Sequence, residues 1–475
     1  MSTISRNTIW SFISIIGVQL INIITNIILA RILNPEIFGV LSMVIVFAGL
    51  AFVIQEAGLN SFLIYQNENK RDIVSTTFWL NILFSLLIAG IIYFCSNIIA
   101  NFYNNNQVNT ILSYISIGII FGSIGSTHRA LLMKNNQFKD ITKIDITAEV
   151  ISSTFSIILA LYVNPLLAIS TKYVIRPLIQ SVFVFKYSRI KINLRININI
   201  LKELFLYSSS VLGSQLFMCL NNNIDFILVG RYLGDRLLGI YSIAFQWGAL
   251  ARYYLSGAVI RVLFPEVSKI QDDKQKMRAL YYKVIRGLAF ITFPVCFGLA
   301  MVSHDFISFF YGHRWLEVVP TLQILLIAGG LSSITVIGGP ILRGIGRPDL
   351  EMKLSILSFI LFTLTLLFVV KYGLLMVAFS ELFRVLVVEF VRLIILRKQL
   401  GLAFIKLLHC ILPVVYSTLT MIFILLFVNT LNLELASYLL LIIKIVLGVV
   451  SYAAASYYFN RKEVISIVKH VYLKN

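Results

Sequence analysis

Thr8-Ile-Trp-Ser-Phe-Ile-Ser-Ile-Ile-Gly-Val-Gln-Leu-Ile-Asn-Ile-Ile-Thr-Asn-Ile-Ile-Leu-Ala-Arg-Ile32 is followed at once by a tight turn, Arg31-Ile-Leu-Asn-Pro-Glu-Ile-Phe-Gly39, and then by a second apolar stretch over 37–64. The first run meets the bilayer ruler of about 20 mostly apolar residues. It is longer than the 7–15-residue apolar part of a secretory leader, and no small-x-small site follows it, so it reads as a first membrane span rather than a removed leader. In the turn, Asn34 reads as the N-cap of the next helix, with Pro35 at its first position and Glu36 in its first turn. The pattern of span, tight turn and span sets the fold class, and the rest of the chain repeats it.

The same ruler finds fourteen spans, at about 8–32, 37–64, 73–98, 109–131, 140–163, 165–186, 204–230, 237–262, 282–302, 318–342, 352–371, 374–396, 407–429 and 435–459. Composition agrees. The 475 residues are 59% hydrophobic and 13% charged, with a mean hydropathy of +0.89. Soluble domains are about 45–50% apolar and about 25% charged, so a water-soluble multidomain reading is excluded. The expectation is an all-α integral membrane protein.

The net charge of +19 would suggest nucleic acid in a soluble chain; here it follows topology. With the N-terminus on the cytoplasmic side, 26 of the 40 basic residues fall in inner segments and five in outer ones, the remaining nine lying inside spans. That bias predicts an even span count and both termini inside. The four cysteines lie singly in apolar runs, so neither a disulfide framework nor a metal site is expected. The alternating stretch Ile190-Lys-Ile-Asn-Leu-Arg-Ile-Asn-Ile-Asn-Ile200 has no partner strand and reads as an interfacial connector.

The chain also repeats itself. The first turn, Arg31 to Gly39, recurs as Arg231-Tyr-Leu-Gly-Asp-Arg-Leu-Leu-Gly239, and Gly17-Val-Gln-Leu20 recurs as Gly213-Ser-Gln-Leu216. Both matches fall on the first and seventh spans. Six spans separate the copies, so the halves share one orientation, as in transporters built from parallel repeats with substrate bound between them. The expected body is two pseudo-symmetric six-helix bundles around a central cavity plus two C-terminal helices: an N-terminal lobe over 1–186, a cytoplasmic connector over 187–203, a C-terminal lobe over 204–396, and two further helices with a cytoplasmic tail over 397–475.

Nine basic and six acidic residues sit inside spans. At about 2.5–3.5 kcal/mol each at the bilayer centre on insertion scales, they must pair or face water. Asp145 and Glu149 are one turn apart on the fifth span, and Lys172 and Arg176 one turn apart on the sixth. Only Val163-Asn-Pro165 joins these spans, so they are neighbours. An internal salt-bridge ladder and a charged cavity wall both fit. On the twelfth span Glu381, Arg384, Glu389 and Arg392 fall within one arc of about 140°, facing a cavity or the lobe packing, and Glu389, at its edge, can pair with Arg392 at i+3. Arg252 and Arg261 are cations of the eighth span; Arg261 can snorkel inward. Gln19, Asn22 and Asn26 form a polar stripe on the first span, and Gln215 and Asn222 match two of them on the seventh, with Asn223 and Asp225 just beyond. Amides suit sugar hydroxyls, offering donor and acceptor together; helix–helix glue is the alternative.

Five segments in order resemble the polysaccharide-flippase family of the multidrug/oligosaccharidyl-lipid/polysaccharide exporter superfamily, and within it the teichuronic-acid and colanic-acid exporter type. They are Leu29 to Gly39, Glu56-Ala-Gly-Leu-Asn-Ser-Phe-Leu-Ile64, Ser75-Thr-Thr-Phe-Trp-Leu-Asn81, Arg129-Ala-Leu-Leu132 with Phe138-Lys139, and Leu263-Phe-Pro-Glu-Val-Ser-Lys269. The likeness is strongest over residues 1–345. It implies alternating-access export of an undecaprenyl-diphosphate-linked oligosaccharide across a bacterial inner membrane for O-antigen, capsule or exopolysaccharide assembly, with no catalytic motif, no cofactor, and polymerase or glycosyltransferase partners. Under it, Lys172, Arg176, Arg252, Arg384, Arg392, Gln19, Asn22, Asn26, Gln215 and Asn222 are substrate-cavity candidates. Glu56, at the family's usual acidic position, joins Asp145, Glu149, Asp225 and Glu381 as candidates for a coupling H⁺ or Na⁺; for Glu56 a structural tie to Asn60 competes. A drug exporter of the same superfamily and a membrane polysaccharide polymerase are the alternatives. The short outer loops hold five acids, Glu36, Asp235, Asp305, Glu317 and Glu434, with no paired-carboxylate site, which argues against the polymerase.

Overall fold

The computed structural model describes residues 3–56, 59–65, 71–188, 192–193, 198–250, 267, 270, 273–335, 337–431 and 437–461. Among these the regular structure is helical, with no strand. The helices are α1 (Thr3–Ile32), α2 (Pro35–Glu56), α3 (Leu59–Tyr65), α4 (Arg71–Tyr103), α5 (Asn106–Lys134), α6 (Phe138–Tyr162), α7 (Pro165–Ser188), α8 (Ile198–Leu250), α9 (Lys274–Met301), α10 (Ser303–Phe310), α11 (Val319–Thr335), α12 (Gly338–Gly344), α13 (Pro348–Val369), α14 (Leu374–Leu400), α15 (Phe404–Thr430) and α16 (Ser437–Phe459). The fold is thus all-α.

Ten candidate spans among the described residues are long and apolar enough to cross a membrane. The expected spans over 165–186 and 374–396 are helical as α7 and α14 but fall outside that ten. Both carry the polar and charged side chains whose membrane cost required pairing, which lowers their hydropathy. The expected spans over 204–230 and 237–262 meet in α8, one continuous run broken by Gly234 at φ 84° and ψ −177°, a conformation open to glycine; residues 251–262 lie outside the described ones. The stretch read as one span over 37–64 is two helices, α2 and α3. Near the connector, Trp79 donates Nε1–H to the Asn193 carbonyl at 3.0 Å, and the Asn193 N–H donates to Ser75 Oγ at 3.0 Å, so this piece of chain rests on α4.

The described residues form two compact units, Met1–Gly239 and Ile240–Asn475. In the first, α5 packs on α4 and α7, while α6 packs on α1 and α7. Local chemistry sets the ends. Asn105 caps α5 by accepting the Gln107 N–H at 2.9 Å, and proline opens α2 and α7, where its missing N–H costs nothing. The two copies of the repeated turn meet within this unit. A Cβ on Gly39 would lie 1.7 Å from the Asp235 carbonyl oxygen, and one on Gly239 would lie 1.9 Å from that of Pro35. The repeat ends in glycine because each copy presses its backbone against the other.

In the second unit, α9 packs on α11 and α15, α14 on α11 and α13, and α16 on α15. Its core includes Tyr281, Ile285, Leu288, Ile341, Leu396 and Val414. Large apolar side chains cover the outer faces: Leu83, Leu87, Phe94 and Ile98 on α4, and Phe423 and Phe427 on α15, are exposed, as a lipid-facing surface requires.

Candidate site: a cation-walled cavity in the first unit

Three helices supply the functional side chains of the wall. α7 enters at Pro165 and carries Lys172, Arg176 and Gln180 at i, i+4 and i+8, one stripe on one face. Close backbone approach fixes that face: a Cβ on Gly118 of α5 would lie 2.1 Å from the Tyr173 carbonyl oxygen, and one on Gly125 would lie 2.7 Å from Ser181 Cα. Ser181 Oγ donates to the Phe121 carbonyl at 2.5 Å. α5 adds Arg129, and α1 adds Asn22 and Asn26. Together these six side chains line a cavity of about 560 Å³, whose remaining wall includes Phe38, Leu41, Ile45 and Phe52 of α2.

The charges are layered. Glu149 on α6 is fully buried and stands behind the wall, with Oε1 2.7 Å from Lys172 Nζ and Oε2 3.0 Å from Arg176 Nε. Lys172 Nζ also donates to Asn22 Oδ1 at 2.7 Å. One turn away, buried Asp145 accepts from Arg129 through both oxygens, at 2.5 and 2.9 Å, from Gln180 Nε2 at 3.1 Å and from Ser14 Oγ at 3.1 Å. A polar seam continues along α6: Thr142 Oγ1 donates to the Trp10 carbonyl at 2.8 Å, and Ser156 Oγ donates to the Ala168 carbonyl at 2.7 Å. Three bases therefore share two acids, with the bases on the cavity side. Such buried groups are tolerable because each finds partners.

The acid pair and base pair read from spans five and six come together only in part: Glu149 takes both α7 bases, and Asp145 turns to α5. Arg129, assigned to an inner segment by hydropathy, and Gln180 were missed. The i+8 continuation of the Lys172–Arg176 stripe was the available signal for Gln180. Gln19, Gln215, Asn222 and Asp225 belong to the same unit but do not line this cavity; Gln215 is exposed and Asp225 is buried. The side chain of Glu56, and Arg252 and Arg261 entirely, lie outside the described residues.

The second unit holds several of its intramembrane charges in close pairs. Glu381 and Arg384, both buried, bond along α14, with Arg384 Nε donating to Glu381 Oε2 at 2.7 Å. Arg384 also donates to Ser358 Oγ at 2.8 Å and lies over the Phe362 ring, 5.1 Å from its centroid. Arg392 pairs with Glu389 at 2.8 Å, the i+3 tie expected from spacing, and donates to the Thr335 carbonyl at 3.0 Å. These contacts tie α14 to α13 and α11. Lys444 of α16, also buried, bonds Asp305 of α10 at 2.5 Å. Among the described residues, no cluster of three or more His, Cys, Asp or Glu side chains is arranged for a metal ion.

A family model described as "Polysaccharide biosynthesis protein" matches residues 28–320. The chain is 25% identical over 356 residues to the lipopolysaccharide biosynthesis protein WzxC of Escherichia coli (strain K12), covering 74% of this chain and 72% of that protein. It is 28% identical over 325 residues to the teichuronic acid biosynthesis protein TuaB of Bacillus subtilis (strain 168), covering 68% and 67%. Among solved structures, the lipid II flippase MurJ in an inward closed conformation superposes with a TM-score of 0.78 at 17% identity over 96% of this chain and 99% of that one. An inward-facing multidrug resistance MATE transporter gives 0.57 at 12% identity over 83% and 94%.

Proposed function

Since this chain belongs to the polysaccharide biosynthesis protein family, we propose that it is a transporter that moves an undecaprenyl-diphosphate-linked oligosaccharide repeat unit across a bacterial inner membrane for surface polysaccharide assembly. The observation that carries the reading is the layered cavity, with Arg129, Lys172 and Arg176 on its wall and Asp145 and Glu149 behind it. A headgroup of sugars and diphosphate can cross an apolar slab only if its charge meets fixed positive charge and its hydroxyls meet amides. Lys172 and Arg176 supply the first, and Asn22, Asn26 and Gln180 the second.

The proposal includes six-helix lobes over 1–186 and 204–396, transport by alternating access, and both termini on the cytoplasmic side. Arg252, Arg384, Arg392, Gln19, Gln215 and Asn222 remain substrate-contact candidates of this proposal, in addition to the side chains that line the cavity. Glu56, Asp145, Glu149, Asp225 and Glu381 are the acids from which a coupling H⁺ or Na⁺ site is drawn, and a polymerase or glycosyltransferase works beside the exporter. The test is deletion followed by mass analysis of undecaprenyl-linked intermediates. Accumulation of a complete repeat unit supports the reading and identifies the sugars. Normal surface polysaccharide with no accumulation refutes it. The Arg176→Ala and Arg252→Ala variants are expected to abolish export at near-normal protein level.

A further inference from the structure

We propose that Asp145 is a positioning residue and Arg129 a substrate-contacting one: the buried carboxylate holds the Arg129 guanidinium and the Gln180 amide on the cavity wall, where together they receive an oxyanion and a neighbouring hydroxyl of the cargo. The assignment rests on the export reading above and adds a second anion-binding point to the Lys172–Arg176 centre.

Three observations carry it. Asp145 grips Arg129 bidentately, at 2.5 and 2.9 Å, which fixes the plane of the guanidinium. The same carboxylate oxygen that takes one Arg129 donor accepts Gln180 Nε2 at 3.1 Å, so the Gln180 amide oxygen remains as an acceptor. Arg129 and Gln180 both line the cavity, whereas Asp145 does not. The carboxylate also accepts from Ser14 Oγ of α1, which does not line the cavity, at 3.1 Å. A pair built only to tie helices together has no need to face a cavity on its basic side while its acid is held by further donors. A fixed guanidinium loses little conformational freedom on meeting a second oxyanion, and it can take a phosphate or a sugar carboxylate alike.

The experiment compares three forms of the full chain in cells that depend on it for export: wild type, the double amide Arg129→Gln/Asp145→Asn, and the charge swap Arg129→Asp/Asp145→Arg. Membrane protein level and melting temperature report structure. The concentration of lipid-linked glycan that half-saturates transport in vesicles reports binding. The double amide leaves no unpaired buried charge, so its level is expected to stay within about twofold of wild type while half-saturation rises about tenfold or more. The swap is expected to restore an ion pair and normal level without restoring transport, because the acid then faces the cavity. Transport within twofold of wild type in either variant overturns the assignment. Glycan carriers with and without an acidic sugar separate the two sources of oxyanion: loss on both marks the diphosphate, and loss on the acidic one alone marks a sugar carboxylate. If deletion of the wild-type chain accumulates no lipid-linked glycan, the export reading fails first; if it does accumulate and the double amide still transports normally, only the present assignment fails.

Discussion

Replacing Glu149 by Gln removes the carboxylate shared by Lys172 and Arg176, and the structure sets the size of the loss. Glu149 is fully buried and Lys172 Nζ lies 2.7 Å away with its side chain 15% exposed. Removing one partner of such a pair costs about 3–5 kcal/mol, because the other charge stays buried. Two features keep the value at the low end. Lys172 retains its bond to Asn22 Oδ1 at 2.7 Å. Arg176, whose side chain is 36% exposed, sits 3.0 Å from Glu149 Oε2 without hydrogen-bond alignment, so its pair belongs in the surface range of about 0–1 kcal/mol. Glu149→Gln should therefore cost about 3 kcal/mol, or, for unfolding of the unit Met1–Gly239, a fall in melting temperature of about 6–12 °C at about 2–4 °C per kcal/mol for a unit of that size. Thermal unfolding in detergent, followed by tryptophan fluorescence, reads it directly. Glu149→Gln with Lys172→Met removes the stranded charge as well and should recover to within about 1 kcal/mol of wild type. A single variant that melts within 2 °C of wild type would show that the buried pair carries none of the assigned energy and refute the reasoning.

Further outcomes follow from other parts of the molecule. Gly39→Ala or Gly239→Ala places a Cβ within 2 Å of a carbonyl oxygen and should cost at least about 1–3 kcal/mol, seen as lower melting temperature; an unaffected variant denies the close approach of the repeated turns. Asp273 caps α9 by accepting the Gln275 and Lys276 N–H groups, and those bonds, chiefly that from the Lys276 backbone, hold its carboxyl below the usual carboxylate range. Its contribution is thus complete above about pH 4 and lost as the pH falls through the lowered value, so amide exchange at Gln275 and Lys276 should quicken there, and Asp273→Asn should abolish that pH dependence. Reporter fusions at Lys191 and Lys274 should read cytoplasmic and one at Asn104 external; a cytoplasmic Asn104 breaks the span order. Moving a diphosphate's two negative charges outward across 100 mV gains about 4–5 kcal/mol, so collapsing the potential with the pH gradient intact should slow transport; indifference to the potential points to proton exchange through the α6 acids instead.

Hydropathy made most of the long helices legible, though not the break between α2 and α3 or the joining of two expected spans in α8, and the short Val163-Asn-Pro165 link made α6 and α7 neighbours. Glu389–Arg392 was equally open to reading, since both residues lie on one helix one turn apart. Arg129 was not. It lies in the last turns of α5, where an apolar window reads a charge as the start of a loop, and nothing local shows that the α5–α6 turn brings it level with Asp145. Asp305–Lys444 escaped for a related reason: its partners lie 139 residues apart, and periodicity cannot report a contact between helices so distant in the chain. The layering of bases before acids was illegible in principle, because burial on one side of a helix pair depends on what a third helix, here α1 with Ser14 and Trp10, presses against.

The most direct measurement of the central claim is flipping in proteoliposomes. The purified chain is reconstituted with an undecaprenyl-diphosphate oligosaccharide, and the fraction of glycan reached by an impermeant oxidant or glycosidase on one side is followed with time. Wild-type protein should carry the accessible fraction from about half toward completion within the assay, while Arg176→Ala stays near half. An accessible fraction that never exceeds that of protein-free vesicles, or an Arg176→Ala trace that overlays wild type, would contradict export through the cation-walled cavity.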